Sequence, residues 1–257
     1  MKRYIKNMLL ASAAVMTLCG LSACIDETVP TDEATPATIK TDSKSLSYLA
    51  NSLPSFLTTW NTYNSGDYTQ DWGYPCQMYM RDLLCADFPQ SDNSFNYWDY
   101  IEDGSSLRYA YYYTFYYYYV FIKNANGVIS VGKDAVDGGN EAAKKYLGQG
   151  YGYRAMLYLD LERLFEYKKT GVSYLDKQAD SIGCMGITIP IVTDKTTKVE
   201  LKNNPCAPFY TMNRFIMTDL NRAEENLAGY NREHKAFMDQ SVIYGLKTRL
   251  WLDMATR

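Results

Sequence analysis

The sequence predicts an all-α chain, and three observations carry that prediction. The longest apolar and aromatic stretch, Leu107 to Val131, meets no Pro and no Gly before Gly127. That is too long for a typical strand. Three later segments repeat apolar residues along one helix face: Leu157, Leu161, Leu164 and Phe165, then Ile216, Leu220, Ala223 and Leu227, then Ile243, Leu246, Leu250 and Met254. The β-branched, extended pattern is limited to the short piece Ile187-Thr188-Ile189-Pro190-Ile191-Val192. Such helices bury their faces most naturally as antiparallel pairs in a helical-repeat superhelix. The period is too irregular to mark individual repeats.

Taken in order, the chain opens with Lys2, Arg3 and Lys6 ahead of an apolar run from Met8 to Gly20. This has the charge and length of a signal peptide and is short for a membrane span. It ends in Leu21-Ser22-Ala23-Cys24, which looks like a bacterial lipobox. Residues 1–23 are therefore expected to be a lipoprotein signal peptide, removed to leave Cys24 as the lipidated N-terminus. A diacylglycerol on its thiol and a further chain such as palmitate on its amine would anchor stably where one chain alone would not. Residues 24–40 are acidic, rich in Thr and Pro and poor in large apolar groups, so they read as a flexible tether. Asp26 and Glu27 resemble the acidic signals that send some Gram-negative lipoproteins to the outer face of the outer membrane. Residues 41–257 remain for a helical domain.

Within that domain, Leu107 to Val131 is read as a helix buried on several sides, with most of its tyrosine rings in the core. The next helix takes Asn140 as its N-cap and runs through Tyr151 to Tyr167. Arg154, Asp160, Glu162, Arg163 and Glu166 lie mostly off its apolar stripe, with Gly171 at its end. A polar linker with Gly183 and Gly186 leads to Ile187–Val192, read as a loop or edge strand before a turn at Thr193-Asp194. A third helix spans Tyr210 to Leu227. A fourth starts near Asp239, a good N-cap, and continues almost to the last residue.

Composition narrows the function. Loss of Lys2, Arg3 and Lys6 leaves 23 of the 26 basic residues against 29 acidic ones, a formal charge of −6. No basic stripe is present to displace counterions from phosphates, so nucleic-acid binding is disfavoured. Cys76, Cys85, Cys184 and Cys206 remain once Cys19 leaves and Cys24 carries lipid. Three pairings are open to them, and free buried thiols are an equal alternative to a disulfide. Their spacing does not match paired metal ligands, and His234 is the only histidine, so neither a metal site nor a cofactor is expected. His234 is too isolated for a general base. No nucleophile elbow, zinc-protease helix or phosphate-cradling loop appears, and the chain is not expected to be an enzyme. Asp99, Glu102 and Asp103 are carboxylates close in sequence, which is not the held separation that glycoside hydrolysis needs.

Binding has better material. Trp60, Tyr63, Tyr68, Trp72, Tyr74, Phe95, Tyr97, Trp98 and Tyr100 are interleaved with Asn, Asp, Gln and Gly. Pyranose rings stack their CH faces on aromatic planes while amides and carboxylates hold their hydroxyls. Asn93, Asn96, Tyr97, Trp98 and Tyr100, in the loop before the aromatic helix, are the candidate ligand-binding residues. The competing reading is that these aromatics fasten a long loop to the scaffold. Arg154 and Arg163 are read as interhelical charges.

Four segments taken together resemble the SusD/RagB family of outer-membrane nutrient-binding lipoproteins. They are Asn124-Ala125-Asn126, the helix from Tyr153-Arg154-Ala155 to Arg163-Leu164-Phe165, Ile189-Pro190-Ile191-Val192-Thr193-Asp194, and Asp219-Leu220-Asn221-Arg222-Ala223-Glu224-Glu225-Asn226-Leu227. Lys247-Thr248-Arg249-Leu250-Trp251-Leu252 supplies a fifth, similar to the family's Ala-Arg-x-Tyr-Leu pattern. Two departures stand out: a longer segment between Phe165 and Ile187, and no Gly directly after the Arg-Leu-Phe element. The resemblance implies a tetratricopeptide-like helical scaffold with long irregular loops and no catalytic activity. It implies capture of a glycan and delivery to a SusC-like TonB-dependent transporter, from a lipid-anchored, surface-exposed position on the outer membrane. Peptide capture by the same architecture, or a helical-repeat adaptor for another envelope protein, are the alternatives. Members are longer, so the resemblance also implies that these 257 residues are an N-terminal portion.

Overall fold

In a computed structural model of the chain, which describes residues 43–58, 73–83 and 107–255, the elements run α1 (Ser43–Phe56), α2 (Tyr74–Leu83), α3 (Leu107–Asp137), a short 3-10 turn (Glu141–Ala143), α4 (Lys144–Phe165), α5 (Ser173–Ser181), β1 (Ile187–Pro190), α6 (Lys198–Lys202), β2 (Cys206–Pro208), α7 (Phe209–Asn226) and α8 (Gln240–Ala255). Helix packs on helix, as the apolar spacing predicts. The exception among the described residues is a two-stranded antiparallel sheet, β1 with β2.

Helix α4 is the axis of the assembly. Gly132 lies against Leu147, Ile129 against Gly150, Asn126 against Arg154 and Tyr118 against Asp160, so α3 runs antiparallel to it on one side. Leu227 meets Gly148, Asp219 meets Arg154 and Asn213 meets Glu162, so α7 runs antiparallel on another. Ile243 near Gly152 and Arg249 on Asp160 set α8 parallel to it. The close approach depends on glycine. A Cβ at Gly148 would lie 2.6 Å from Leu227 Cγ, and one at Gly150 2.8 Å from Ile129 Cγ1. One continuous core results, with Tyr117, Tyr118, Phe121, Ile122, Leu157, Leu161, Ile216 and Leu250 wholly buried.

This placement overturns one reading of the sequence. Arg154, Asp160 and Glu162, expected mostly off the packed stripe, are fully buried, and Glu166 nearly so. Helix α4 has neighbours on several faces, and Arg154 and Asp160 meet their counter-charges inside the protein rather than in water. Arg163 keeps a half-exposed side chain and faces Asp253 at 3.7 Å, the interhelical role expected of it.

Several boundaries also move. Helix α3 continues past Val131 to Asp137. Asn140 makes no side-chain cap, because the 3-10 turn precedes α4. Helix α4 stops at Phe165, ahead of Gly171, whose positive φ of 81° turns the chain into α5. The segment read as a polar linker contains α5, which buries only Asp176 and Ala179. The Asp176 carboxylate accepts from Thr170 N, Thr170 Oγ1 and Gly171 N at 2.8, 2.8 and 3.0 Å. Those bonds, with Lys169 nearby, hold its carboxyl below the ordinary value against the opposing effect of burial.

Within the Ile187–Val192 piece, Ile187–Pro190 is a paired strand, with Ile187 opposite Pro208 and Pro190 opposite Cys206. Thr197 and Glu200 form a reciprocal capping box that starts α6. Asp239 caps α8 as expected, its Oδ1 accepting from Val242 N at 3.1 Å. Cys184 and Cys206 carry free thiols, Cys76 is buried, and Cys85 lies outside the described residues. No described helix is long and apolar enough to cross a membrane.

Candidate functional site

Cys24, Asn93, Asn96, Tyr97, Trp98 and Tyr100 lie outside the described residues, as do Trp60, Tyr63, Tyr68, Trp72, Phe95 and the carboxylates Asp99, Glu102 and Asp103. The structure therefore describes what bounds the candidate segment: α2 before it, α3 after it and the scaffold between them. Tyr74, counted with the loop aromatics in the sequence, is instead the first residue of α2.

The start of α3 is an aromatic surface. Tyr112 and Tyr116 are 62% and 47% exposed, with rings parallel to within 1° and centroids 6.2 Å apart. Tyr111 and Phe115, also exposed, meet Phe165 edge-on at 6.0 and 5.6 Å. From Tyr117 onward the rings turn inward, and Tyr117, Tyr118 and Phe121 are fully buried. The expectation that most rings of this helix are core thus holds for its centre and fails at its start. A legible signal was available: Lys123 and Ser130 mark the solvent face, and stepping back along it by helical turns reaches Tyr116 and Tyr112. Parallel exposed rings on a rigid helix can stack on flat apolar faces such as those of sugars.

Two buried polar centres hold this surface in place. At the first, the Arg154 guanidinium donates to Asp219 through Nε at 2.7 Å and Nη2 at 2.9 Å. It also donates through Nη1 to Asn126 Oδ1 at 2.8 Å and Asp194 Oδ1 at 3.0 Å. It lies over the rings of Phe215 and Tyr151. Burial works against the cation, but Asp219 and Asp194 outweigh it and raise the Arg154 pKa. Burial pushes the Asp219 carboxyl above its usual value, with Arg154 opposing. Next to this centre the main chain of Val192 is fixed: its N–H donates to Tyr158 Oη at 2.7 Å, and its carbonyl accepts from Asn126 at 3.1 Å.

The second centre is Asp160. Its Oδ2 accepts from the Tyr74 hydroxyl at 2.6 Å and the Tyr118 hydroxyl at 3.3 Å. Its Oδ1 accepts from Arg249 at 2.9 Å and Arg81 at 3.4 Å. Burial, then the adjacent Asp160 charge, pushes Tyr74 up to about 12, and the same causes lift Tyr118 well above its ordinary value. Both hydroxyls stay protonated and donating at neutral pH.

Open clefts also lie on the surface of the described residues. One of about 650 Å³ lies between the turn after α4 and α5, lined by Tyr167, Lys168, Lys169, Lys177, Asp176 and Asp180. A second of about 520 Å³ lies beside α6, and a third of about 360 Å³ beside Tyr146, Gln149 and Tyr230. No group of three or more His, Cys, Asp or Glu among the described residues could hold a metal ion. His234 accepts a local bond from Ala236 N through Nδ1.

No protein-family model and no curated protein matches this chain. Solved structures do. A SusD-like carbohydrate-binding protein from Bacteroides vulgatus aligns with 81% of this chain and 41% of its own, at TM-score 0.61 and 19% identity. A SusD superfamily protein from Bacteroides fragilis aligns with 83% of this chain and 46% of its own, at TM-score 0.61 and 16% identity. A SusD homolog from Bacteroides thetaiotaomicron aligns with 85% of this chain and 38% of its own, at TM-score 0.58 and 16% identity. The chain has the SusD-like, tetratricopeptide-like helical fold that its motifs suggest, and it spans less than half the length of these structures.

Proposed function

We propose that this chain is a SusD/RagB-type surface lipoprotein that captures a glycan, without catalysing a reaction on it, and hands it to a SusC-like TonB-dependent transporter. The observation that carries the reading is the exposed aromatic start of α3, standing on a fold shared with a SusD-like carbohydrate-binding protein. Tyr112 and Tyr116 offer stacking planes. Asn93, Asn96, Tyr97, Trp98 and Tyr100, just before α3 in sequence, add rings and amide partners for hydroxyls. Cys24 carries the lipid, residues 24–40 form the tether, and the helical domain works from the outer face of the outer membrane.

The test is affinity electrophoresis of the mature chain in gels containing amylopectin, xylan, mannan or pectin. Retardation by at least one polysaccharide, weakened in Trp98→Ala at unchanged melting temperature, is the expected result. A large loss of melting temperature with unchanged retardation would instead make Trp98 a fastener of its own loop.

A further inference from the structure

Resting on glycan capture as the function, we infer that the cleft between α1, the start of α4 and the α7–α8 loop is a second saccharide site. It takes a neutral mono- or disaccharide unit. Its volume of about 360 Å³ is at the small end of small-molecule sites. It is separate from the exposed rings of α3. Phe165, which those rings meet, and Gln149, in this cleft, are 16 residues apart on α4, about 24 Å at 1.5 Å per residue.

Buried bonds fix the loop side of the cleft to α4. Gln149, only 2% exposed, donates through Nε2 to Met238 O at 2.6 Å and accepts from Met238 N through Oε1 at 2.9 Å. The Tyr153 hydroxyl donates to Ala236 O. A Cβ at Gly152 would fall 2.6 Å from Met238 Sδ, so loop and helix are in direct contact. Arg232 meets Asp239 at 3.2 Å across the loop. A loop held at Ala236 and at both main-chain groups of Met238 presents Tyr230, Glu233 and Phe237 already in place, which spares a ligand the cost of ordering them.

The lining has both chemistries that a sugar needs. Tyr146, Tyr230 and Phe237, each partly exposed, supply ring faces for CH groups. Lys145, Glu233 and Asn51 supply a cation, a carboxylate and an amide, so sugar hydroxyls find donors and acceptors. One positive and one negative group leave no net charge to select an ionic ligand. Lys145 Nζ lies 4.9 Å from the Tyr146 ring centre. Burial, then the Glu233 charge, raises the Tyr230 pKa, with Lys145 opposing, so its hydroxyl stays protonated and donating at neutral pH.

The experiment uses the full mature chain, with maltose, xylobiose and mannobiose as probes. Amide hydrogen exchange over residues 228–239 is read beside affinity electrophoresis in amylopectin, xylan, mannan and pectin. Tyr112→Ala/Tyr116→Ala removes rings of α3 and leaves the cleft intact. Tyr230→Ala removes a ring of the cleft. Asn51→Ala removes its amide from an exposed helical position where alanine favours the helix, which guards against a variant that fails to fold. We expect at least one disaccharide to slow exchange in the loop, equally in the wild type and the α3 variant. The half-saturating concentration should rise about threefold to tenfold in Tyr230→Ala and in Asn51→Ala, the scale of one lost ring contact or hydrogen bond.

Retention of the wild type in a gel with no disaccharide effect on the loop would overturn the second site and leave glycan capture standing. A loop response that vanishes with the α3 rings, or that keeps wild-type concentration dependence in both cleft variants, would also overturn it, because the sugar would then bind elsewhere. A cleft-dependent loop response without retention in any gel would uphold the site and refute polysaccharide capture. Neither retention nor a loop response would defeat both.

Discussion

Arg154→Met should be the most damaging single substitution in the helical core that leaves the backbone untouched. Asp219 is fully buried and would lose two bonds of 2.7 and 2.9 Å, while Asn126 and Asp194 would each lose one. Removing one partner of a buried ion pair costs about 3–5 kcal/mol, because the other charge is stranded away from water. For a domain of this size about 1 kcal/mol corresponds to roughly 2–4 °C, so the melting temperature should fall by about 6–20 °C. The loss should depend on pH. Without Arg154 the Asp219 carboxyl, already pushed up by burial, rises further above its unfolded value. A group with a raised folded pKa contributes stability below its unfolded pKa and loses it as pH rises through the folded one. The deficit should therefore be smaller near pH 5 than near pH 8. Adding Asp219→Leu to the variant should recover much of the loss, since well-packed apolar replacements of buried pairs are often neutral. Thermal denaturation followed by circular dichroism reads all three. A single-variant loss below about 1 kcal/mol, or a double variant no better than the single, would refute the reasoning.

Glycine substitutions should split by position. Gly148→Ala places a Cβ 2.6 Å from Leu227 Cγ and should destabilise by about 1–3 kcal/mol, whereas Gly127→Ala, with nothing within 4 Å, should gain about 0.5–1 kcal/mol in urea titrations. At the start of α8, the Ser241 hydroxyl is the main influence holding the Asp239 carboxyl below its usual value, with Val242 N assisting. A lowered folded pKa contributes stability above the unfolded value and loses it as pH falls through the folded one. Protection of the first-turn amides of α8, taken relative to their intrinsic exchange rates, should therefore fall in acid, and Asp239→Ala should remove that pH dependence of protection. A protection factor at Val242 that is flat with pH in the wild type would contradict the capping account.

The long helices were legible because their signals are local. Helices α4, α7 and α8 repeat apolar residues on one face, and Asp239 caps α8 in the expected way. What escaped depended on distant partners or on weak pattern. Arg154 and Asp219 are 65 residues apart, and a charge beside an apolar stripe looks the same in sequence whether water or a buried counter-charge receives it. Helix α5 has two buried residues and no stripe, and β2 is the tripeptide Cys206-Ala207-Pro208. Helix α2 was hidden among aromatic and polar residues that read as loop. The capping box at Thr197 and Glu200 was visible and would have revealed α6. For the candidate site, the sequence pointed to rings before α3. The structure adds rings at its start, which a long unbroken tyrosine run disguised as core.

The most direct test of the central claim is calorimetric titration of the mature chain, and of its Tyr112→Ala/Tyr116→Ala variant, with the polysaccharide that retards the wild type most. The account predicts measurable binding by the wild type and loss of about tenfold or more in the variant, the scale of about 1–3 kcal/mol for a lost aromatic stacking contact, at unchanged melting temperature. Equal affinity in the two proteins would contradict the assignment of the α3 aromatic surface to glycan capture.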